Sequence, residues 1–177
     1  MESRPIGGSG VLVSPVGLVA SSSGPMTGKP DVDRAVLVIQ TALVEGVNWL
    51  DTSENYLDTR NESLIGAALA RIRGEFLVAT KAAPSAAITG GGSGFRPDQI
   101  QAACRASLRR LGREQIDIYF LHWPDETGVP LAETWGAMSE LVDAGLGARS
   151  ACPTTSWRTW SAATRSDRSI PFRPACR

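Results

Sequence analysis

The chain has 177 residues, 42% apolar and 20% charged, the make-up of a globular domain large enough to bury a core. No stretch nears the roughly 18 apolar residues of a membrane span, and Met1-Glu-Ser-Arg-Pro5 lacks the basic start and apolar centre of a secretory leader, so a cytoplasmic location is expected. The formal net charge of zero conceals a break: residues 1–145 carry 12 basic and 17 acidic side chains, net −5, whereas residues 146–177 carry six arginines and one acid, net +5.

Gly10–Ala20 alternates apolar and polar positions around a Ser-Pro turn and predicts a short hairpin followed by a first core strand. Ser21–Pro30 is rich in Ser, Gly and Pro and predicts loop. A helix starts at Asp31, with carboxylates where the N-terminal dipole favours them, and stops at Gly46. Val47–Thr52 predicts a second strand and Glu62–Ile72 a second helix. Phe76–Thr80 predicts a third strand with Lys81 at its exit; the Gly90–Gly94 run that follows has neither phosphate-loop nor dinucleotide spacing and predicts loop. Pro97–Leu111 predicts a third helix closed by Gly112, Ile116–Leu121 a fourth strand buried on both faces, and Pro130–Ala144 a fourth helix ended by Gly145. The three cysteines, Cys104, Cys152 and Cys176, form no metal-like cluster, and their odd number argues against a disulfide framework. Cys104 falls in the third helix as a packing residue.

Strand followed by helix, four times over, predicts a parallel α/β sheet. No G-x-G-x-x-G follows the first strand, which disfavours a dinucleotide-binding open sheet and favours a barrel. A full barrel takes about 250 residues and eight units, so four legible units predict a truncated (β/α)8 barrel after an N-terminal hairpin, with an irregular tail. In such sheets chemistry collects at the C-terminal strand ends. Those ends carry Asp51, followed by Tyr56, then Lys81, then the single histidine, His122.

Taken singly, each has an ordinary structural use: a capping carboxylate, a half-buried anchor, a solvated ammonium, a packed ring. Together they suit carbonyl reduction, which needs a proton for the oxygen as hydride reaches the carbon. An unperturbed tyrosine, with a pKa of about 10, is a poor acid–base group at neutral pH. A neighbouring ammonium stabilises the phenolate. A carboxylate holds the ammonium, and a neutral imidazole orients the substrate oxygen. Tyr56, Lys81, Asp51 and His122 fill these roles in that order.

In Gly46-Val-Asn-Trp-Leu-Asp-Thr-Ser-Glu-Asn-Tyr56, Asn61-Glu-Ser-Leu-Ile-Gly-Ala-Ala-Leu69, Val78-Ala-Thr-Lys81, Ser107-Leu-Arg-Arg-Leu-Gly112 and Ile116-Asp-Ile-Tyr-Phe-Leu-His-Trp-Pro124 the chain resembles the aldo-keto reductase family. The resemblance covers about residues 5–146 in the family's order and spacing. It implies a (β/α)8 barrel that reduces aldehydes or ketones with NADPH, NADH being the alternative donor, and a catalytic tetrad of Asp51, Tyr56, Lys81 and His122. It also implies a substrate-pocket position for Trp123, whose plain alternative is a packing rim aromatic, and a place for Asp51 on the cofactor side. The family likewise includes non-enzymatic partner subunits, the alternative function.

After Gly145 the resemblance stops. Joining the third base of each codon to the first two of the next lets Gly147–Thr155 be read as RAIGVSNY, Trp157–Ala162 as EDLER and Ala163–Arg173 as HAIRPIDSVQ, all similar to the family's fifth strand, next helix and sixth strand. Residues 1–146 are therefore expected to be the first half of a family barrel and residues 147–177 an out-of-frame tail. The basic tail then implies no nucleic-acid or membrane partner. The Ser-Asn pair and Gln that hold the nicotinamide amide in the family appear only in the shifted reading. This implies an inactive chain, with self-association through open barrel edges.

Overall fold

The computed structural model describes residues 1–6, 10–20, 31–82, 95–123, 125 and 128–147. The expected loops at Ser21–Pro30 and Gly90–Gly94 and the tail from residue 148 lie outside them. Among the described residues the chain is α/β. A two-stranded antiparallel ladder pairs β1 (Arg4–Pro5) with β2 (Leu12–Val13). A four-stranded parallel sheet then runs in chain order through β3 (Leu18–Val19), β4 (Trp49–Asp51), β5 (Leu77–Ala82) and β6 (Ile118–Leu121). Four described helices accompany it: α1 (Val32–Val44), α2 (Arg60–Leu69), α3 (Pro97–Leu111) and α4 (Leu131–Asp143).

The period of two along each strand divides the sheet into two faces. Leu50, Val78, Ala82, Tyr119 and Leu121 point toward the helices and join Ile39, Ile65, Ile100 and Met138 in the main core. Burying each large aliphatic side chain contributes about 1.5–3 kcal/mol. The opposite face carries Trp49, Ala79, Ile118 and Phe120, with Ile6 and Val13 of the hairpin packed against them. The hairpin is tied to the start of β4: Asn48 Nδ2 donates to the Leu12 carbonyl (2.9 Å) and Trp49 Nε1 to the Ser14 carbonyl (3.1 Å). It therefore sits near the strands' N-terminal ends and leaves the opposite mouth to the polar residues. Successive helices pack side by side, α1 on α2, α2 on α3 and α3 on α4. Gly66 makes the α2–α3 approach feasible, because a Cβ there would lie 2.7 Å from the carbonyl oxygens of Arg110 and Leu111.

Several boundaries differ from expectation. The hairpin begins at Arg4, and the Ser14-Pro15 turn joins β2 to β3 instead of closing the hairpin. A two-residue strand containing Pro5 is too short to show alternation. Lys81 lies inside β5, one residue before its end, because the sheet mouth satisfies its ammonium. Helix α2 starts two residues early, at Arg60, after Leu57, Asp58 and Thr59 turn through left-handed backbone (φ 52°, 51° and 70°). Strand β6 starts at Ile118 instead of Ile116. Ile116 instead accepts Gly147 as a parallel bridge partner, so that the chain turns back beside β6 after α4. Helix α3 has the expected ends, with Pro97 opening it and Gly112, at φ 65°, closing it. Cys104 is fully buried on α3, and burial pushes its thiol up to about 12, which makes it a packing residue.

Candidate active site

Asp51 ends β4, and parallel register sets it beside Ala79 of β5. Lys81 lies two residues beyond Ala79 and so shares its face. From there its Nζ reaches back to both carboxylate oxygens, at 2.7 and 2.8 Å, and to the Thr52 carbonyl at 2.8 Å. The Lys81 side chain is only 6% exposed and that of Asp51 20%. A buried ammonium is tolerated because its donors are engaged and its charge is paired.

Tyr56 follows a tight turn in which its amide donates to the Ser53 carbonyl at 3.2 Å. The left-handed run that comes next swings the chain into α2 and leaves the phenol directed at the mouth. Tyr56 Oη is 3.4 Å from Lys81 Nζ, and the ammonium lies 5.1 Å from the ring centroid. His122 follows β6, its amide extending the ladder to the Ala82 carbonyl at 2.9 Å. Its ring meets Tyr56 edge to face at 5.7 Å and stacks on Trp123 at 4.8 Å. Burial first, and the Lys81 ammonium second, hold the imidazole below its ordinary value of 6.5, against the pull of Asp51. The ring is therefore neutral at pH 7. All four residues expected at the strand ends thus converge on one mouth. Trp123 is 41% exposed at its edge and makes a T-shaped contact with Phe95, so its indole is both rim and packing.

Sequence reading missed the residues that support this mouth. Ser53 Oγ lies 2.9 Å from His122 Nδ1 and 2.8 Å from Asn55 Oδ1. Asn61 Nδ2 donates to the Ala20 carbonyl and to Thr52 Oγ1, pinning the loop after β4. Beneath it Glu54 and Glu62 are both fully buried. Glu62 accepts from Thr80 Oγ1 (2.6 Å) and from Arg110 Nε (2.7 Å), and the Arg110 guanidinium also lies 3.7 Å from Glu54. One signal was available: three acids and two amides crowd into Ser53–Glu62 with a single arginine-rich helix to answer them. Among the described residues no group of three or more His, Cys, Asp or Glu is arranged to hold a metal ion, and no helix is long and apolar enough to cross a membrane.

Chemically, the mouth offers a phenol beside an ammonium and a neutral imidazole beside the phenol. Each Asp51 oxygen accepts from Lys81 and keeps a further lone pair, on a side chain still partly open to solvent. That donor and acceptor set fits the reacting end of a carbonyl substrate with a hydroxyl- or amide-bearing cofactor next to it.

A model of the aldo/keto reductase family matches residues 16–172, past the boundary at residue 147 read from the sequence. The chain is 33% identical over 131 residues to "Probable aldo-keto reductase 1" of Glycine max, which covers 68% of this chain and 36% of that protein. It is 32% identical over 157 residues to "Aldo-keto reductase YhdN" of Bacillus subtilis (strain 168), covering 82% of this chain and 44% of that protein. Among solved structures it resembles an aldo-keto reductase from Klebsiella pneumoniae in complex with NADPH, with a TM-score of 0.74 and 26% identity, covering 93% of this chain and 54% of that one. The chain therefore spans less than half the length of the two curated relatives and about half of that structure.

Proposed function

The chain belongs to the aldo/keto reductase family, and from that premise we propose that Asp51, Tyr56, Lys81 and His122 form the proton-delivering side of a site that reduces aldehydes or ketones with NADPH. The observation that carries this reading is the position of Lys81 Nζ, held by both Asp51 oxygens and 3.4 Å from the Tyr56 hydroxyl.

Tyr56 gives its proton to the carbonyl oxygen. The Lys81 ammonium stabilises the phenolate left behind, since opposite charges at this distance in a partly dry site attract far more strongly than in water. Asp51 fixes Lys81 and balances its charge, so that the ammonium stays buried and directed at the phenol. His122, neutral and edge-on to Tyr56, hydrogen-bonds the carbonyl oxygen and sets its angle. Trp123 lines the substrate side from its exposed edge. The nicotinamide cofactor, when bound, supplies the hydride to the carbonyl carbon. Asp51 is the described residue whose remaining lone pairs suit the cofactor side.

Residues 1–146 are the first half of the family barrel, and residues from 147 are an out-of-frame continuation. The parallel bridge between Ile116 and Gly147 supports the half-barrel part of this reading, since a fifth strand would begin there. Resequencing the coding DNA across codons 145–148 tests the frame; an intact frame with those codons, found independently, would overturn it. The catalytic reading is tested by completing the barrel with the second half of a family member and following NADPH oxidation with and without Tyr56→Phe.

A further inference from the structure

Ser53 is fully buried and stands between an exposed amide, Asn55, and the ring of the chain's one histidine. Its Oγ is 2.8 Å from Asn55 Oδ1 and 2.9 Å from His122 Nδ1, but a serine hydroxyl has one proton to donate. With the hydroxyl proton used in one of these two contacts, two proton arrangements satisfy the distances. In one, Ser53 donates to Asn55 Oδ1, so that Nδ1 must carry a proton and donate to Ser53, which leaves Nε2 bare. In the other, the Asn55 amide is turned end for end, Nδ2 donates to Ser53, and Ser53 donates to a bare Nδ1. A neutral imidazole has one N–H, so the proton then resides on Nε2. Turning the amide exchanges nitrogen for oxygen at nearly the same place, and the exposed Asn55 leaves its other end to water.

We propose that Ser53 and Asn55 are positioning residues that lock His122 in the Nε2–H tautomer, the hydrogen bonds running from Asn55 Nδ2 to Ser53 Oγ and from Ser53 Oγ to His122 Nδ1. The choice between the two arrangements rests on the proposed function, in which the imidazole donates to a carbonyl oxygen; a bare Nε2 facing that oxygen would repel it. The relay thereby converts an exposed amide into the orientation of a donor within the mouth, much as a partner on one imidazole nitrogen fixes the chemistry of the other in metal and hydrolase sites.

The test is nitrogen-15 NMR of the 177-residue chain, labelled at histidine, at a pH well above 6.5. The single histidine makes the two ring-nitrogen signals unambiguous. Nδ1 is expected at the unprotonated shift and Nε2 at the protonated one; the reverse would overturn the inference. Asn55→Asp is an isosteric change at an exposed position. A carboxylate only accepts, so Ser53 must donate to it, and the proton is expected to move to Nδ1. Ser53→Ala removes the relay, and the two nitrogen shifts are expected to converge as both tautomers become populated. An Asn55→Asp chain with its tautomer unchanged overturns the inference. An Nε2–H signal in a chain whose completed barrel does not reduce carbonyls leaves the inference standing and rejects the catalytic reading. An active completed barrel with the proton on Nδ1 does the opposite.

Discussion

Lys81 is a charged residue at 6% exposure, and its tolerance depends on Asp51. Removing one partner of a buried pair strands the other, which generally costs 3–5 kcal/mol. A fifth of the Asp51 side chain is open to solvent, so Asp51→Ala is expected to destabilise by about 3 kcal/mol, the low end of that range; urea unfolding checks it. His122 gives a pH signature of opposite origin. Its folded pKa lies below the unfolded 6.5, so between the two values the unfolded chain binds the extra proton. Stability contributed by the neutral ring is therefore complete above 6.5 and lost as pH falls through the folded value. His122→Gln should lack that part of the slope when the two chains' urea midpoints are compared across this window. At this scale the grouping of the four residues was legible, because each lies at, just before or shortly after the end of an apolar strand and is conspicuous by type. Ser53 and Asn55 were not, since a serine 69 positions from its imidazole partner carries no local sign of the pairing.

The elements were read best where local chemistry decides them. Helix α3 opens at a proline and closes at a left-handed glycine, so both ends were written in the residues themselves. The start of α2 was misjudged because three consecutive left-handed non-glycine residues precede it, a costly conformation that no propensity announces. The same holds for what joins α2 to α3. Glu62 and Arg110 are 48 positions apart, and a fully buried glutamate contradicts every compositional expectation until its partner is in place. Arg110→Met leaves Glu54 and Glu62 as buried carboxylates without their cation. It is expected to destabilise the chain by about 3–5 kcal/mol. Adding Glu62→Gln to Arg110→Met should recover part of the loss, and a purely additive pair in chemical unfolding would contradict a coupled network. Because Glu62 also accepts from Thr80, the residue before Lys81, this network fixes the strand end as well as the helix pair.

Across the whole molecule, the sheet has one face covered by four described helices and another met, among the described residues, only by Ile6 and Val13 of the hairpin within its cluster. This is the arrangement of successive barrel units, with Asp51, Tyr56, Lys81 and His122 gathered at the C-terminal mouth and the hairpin at the other end. The period-two strands and Gly- or Pro-marked helices made the four units legible. On the proposed reading, in which the Ser-Asn pair and Gln that would hold the nicotinamide are spelled only in the shifted frame, the 177-residue polypeptide alone is expected to show no saturable NADPH-dependent reduction of aldehydes or ketones. Turnover by that polypeptide, abolished by Tyr56→Phe, would contradict the half-site reading and uphold the tetrad. The most direct measurement is the rate of carbonyl-dependent NADPH oxidation by a barrel completed with a family member's second half. Reduction should occur and fall by about 10²–10⁴ on Tyr56→Phe, the usual weight of a positioned acid. A folded, NADPH-binding barrel that fails to turn over, or one indifferent to the loss of the Tyr56 hydroxyl, would contradict the account.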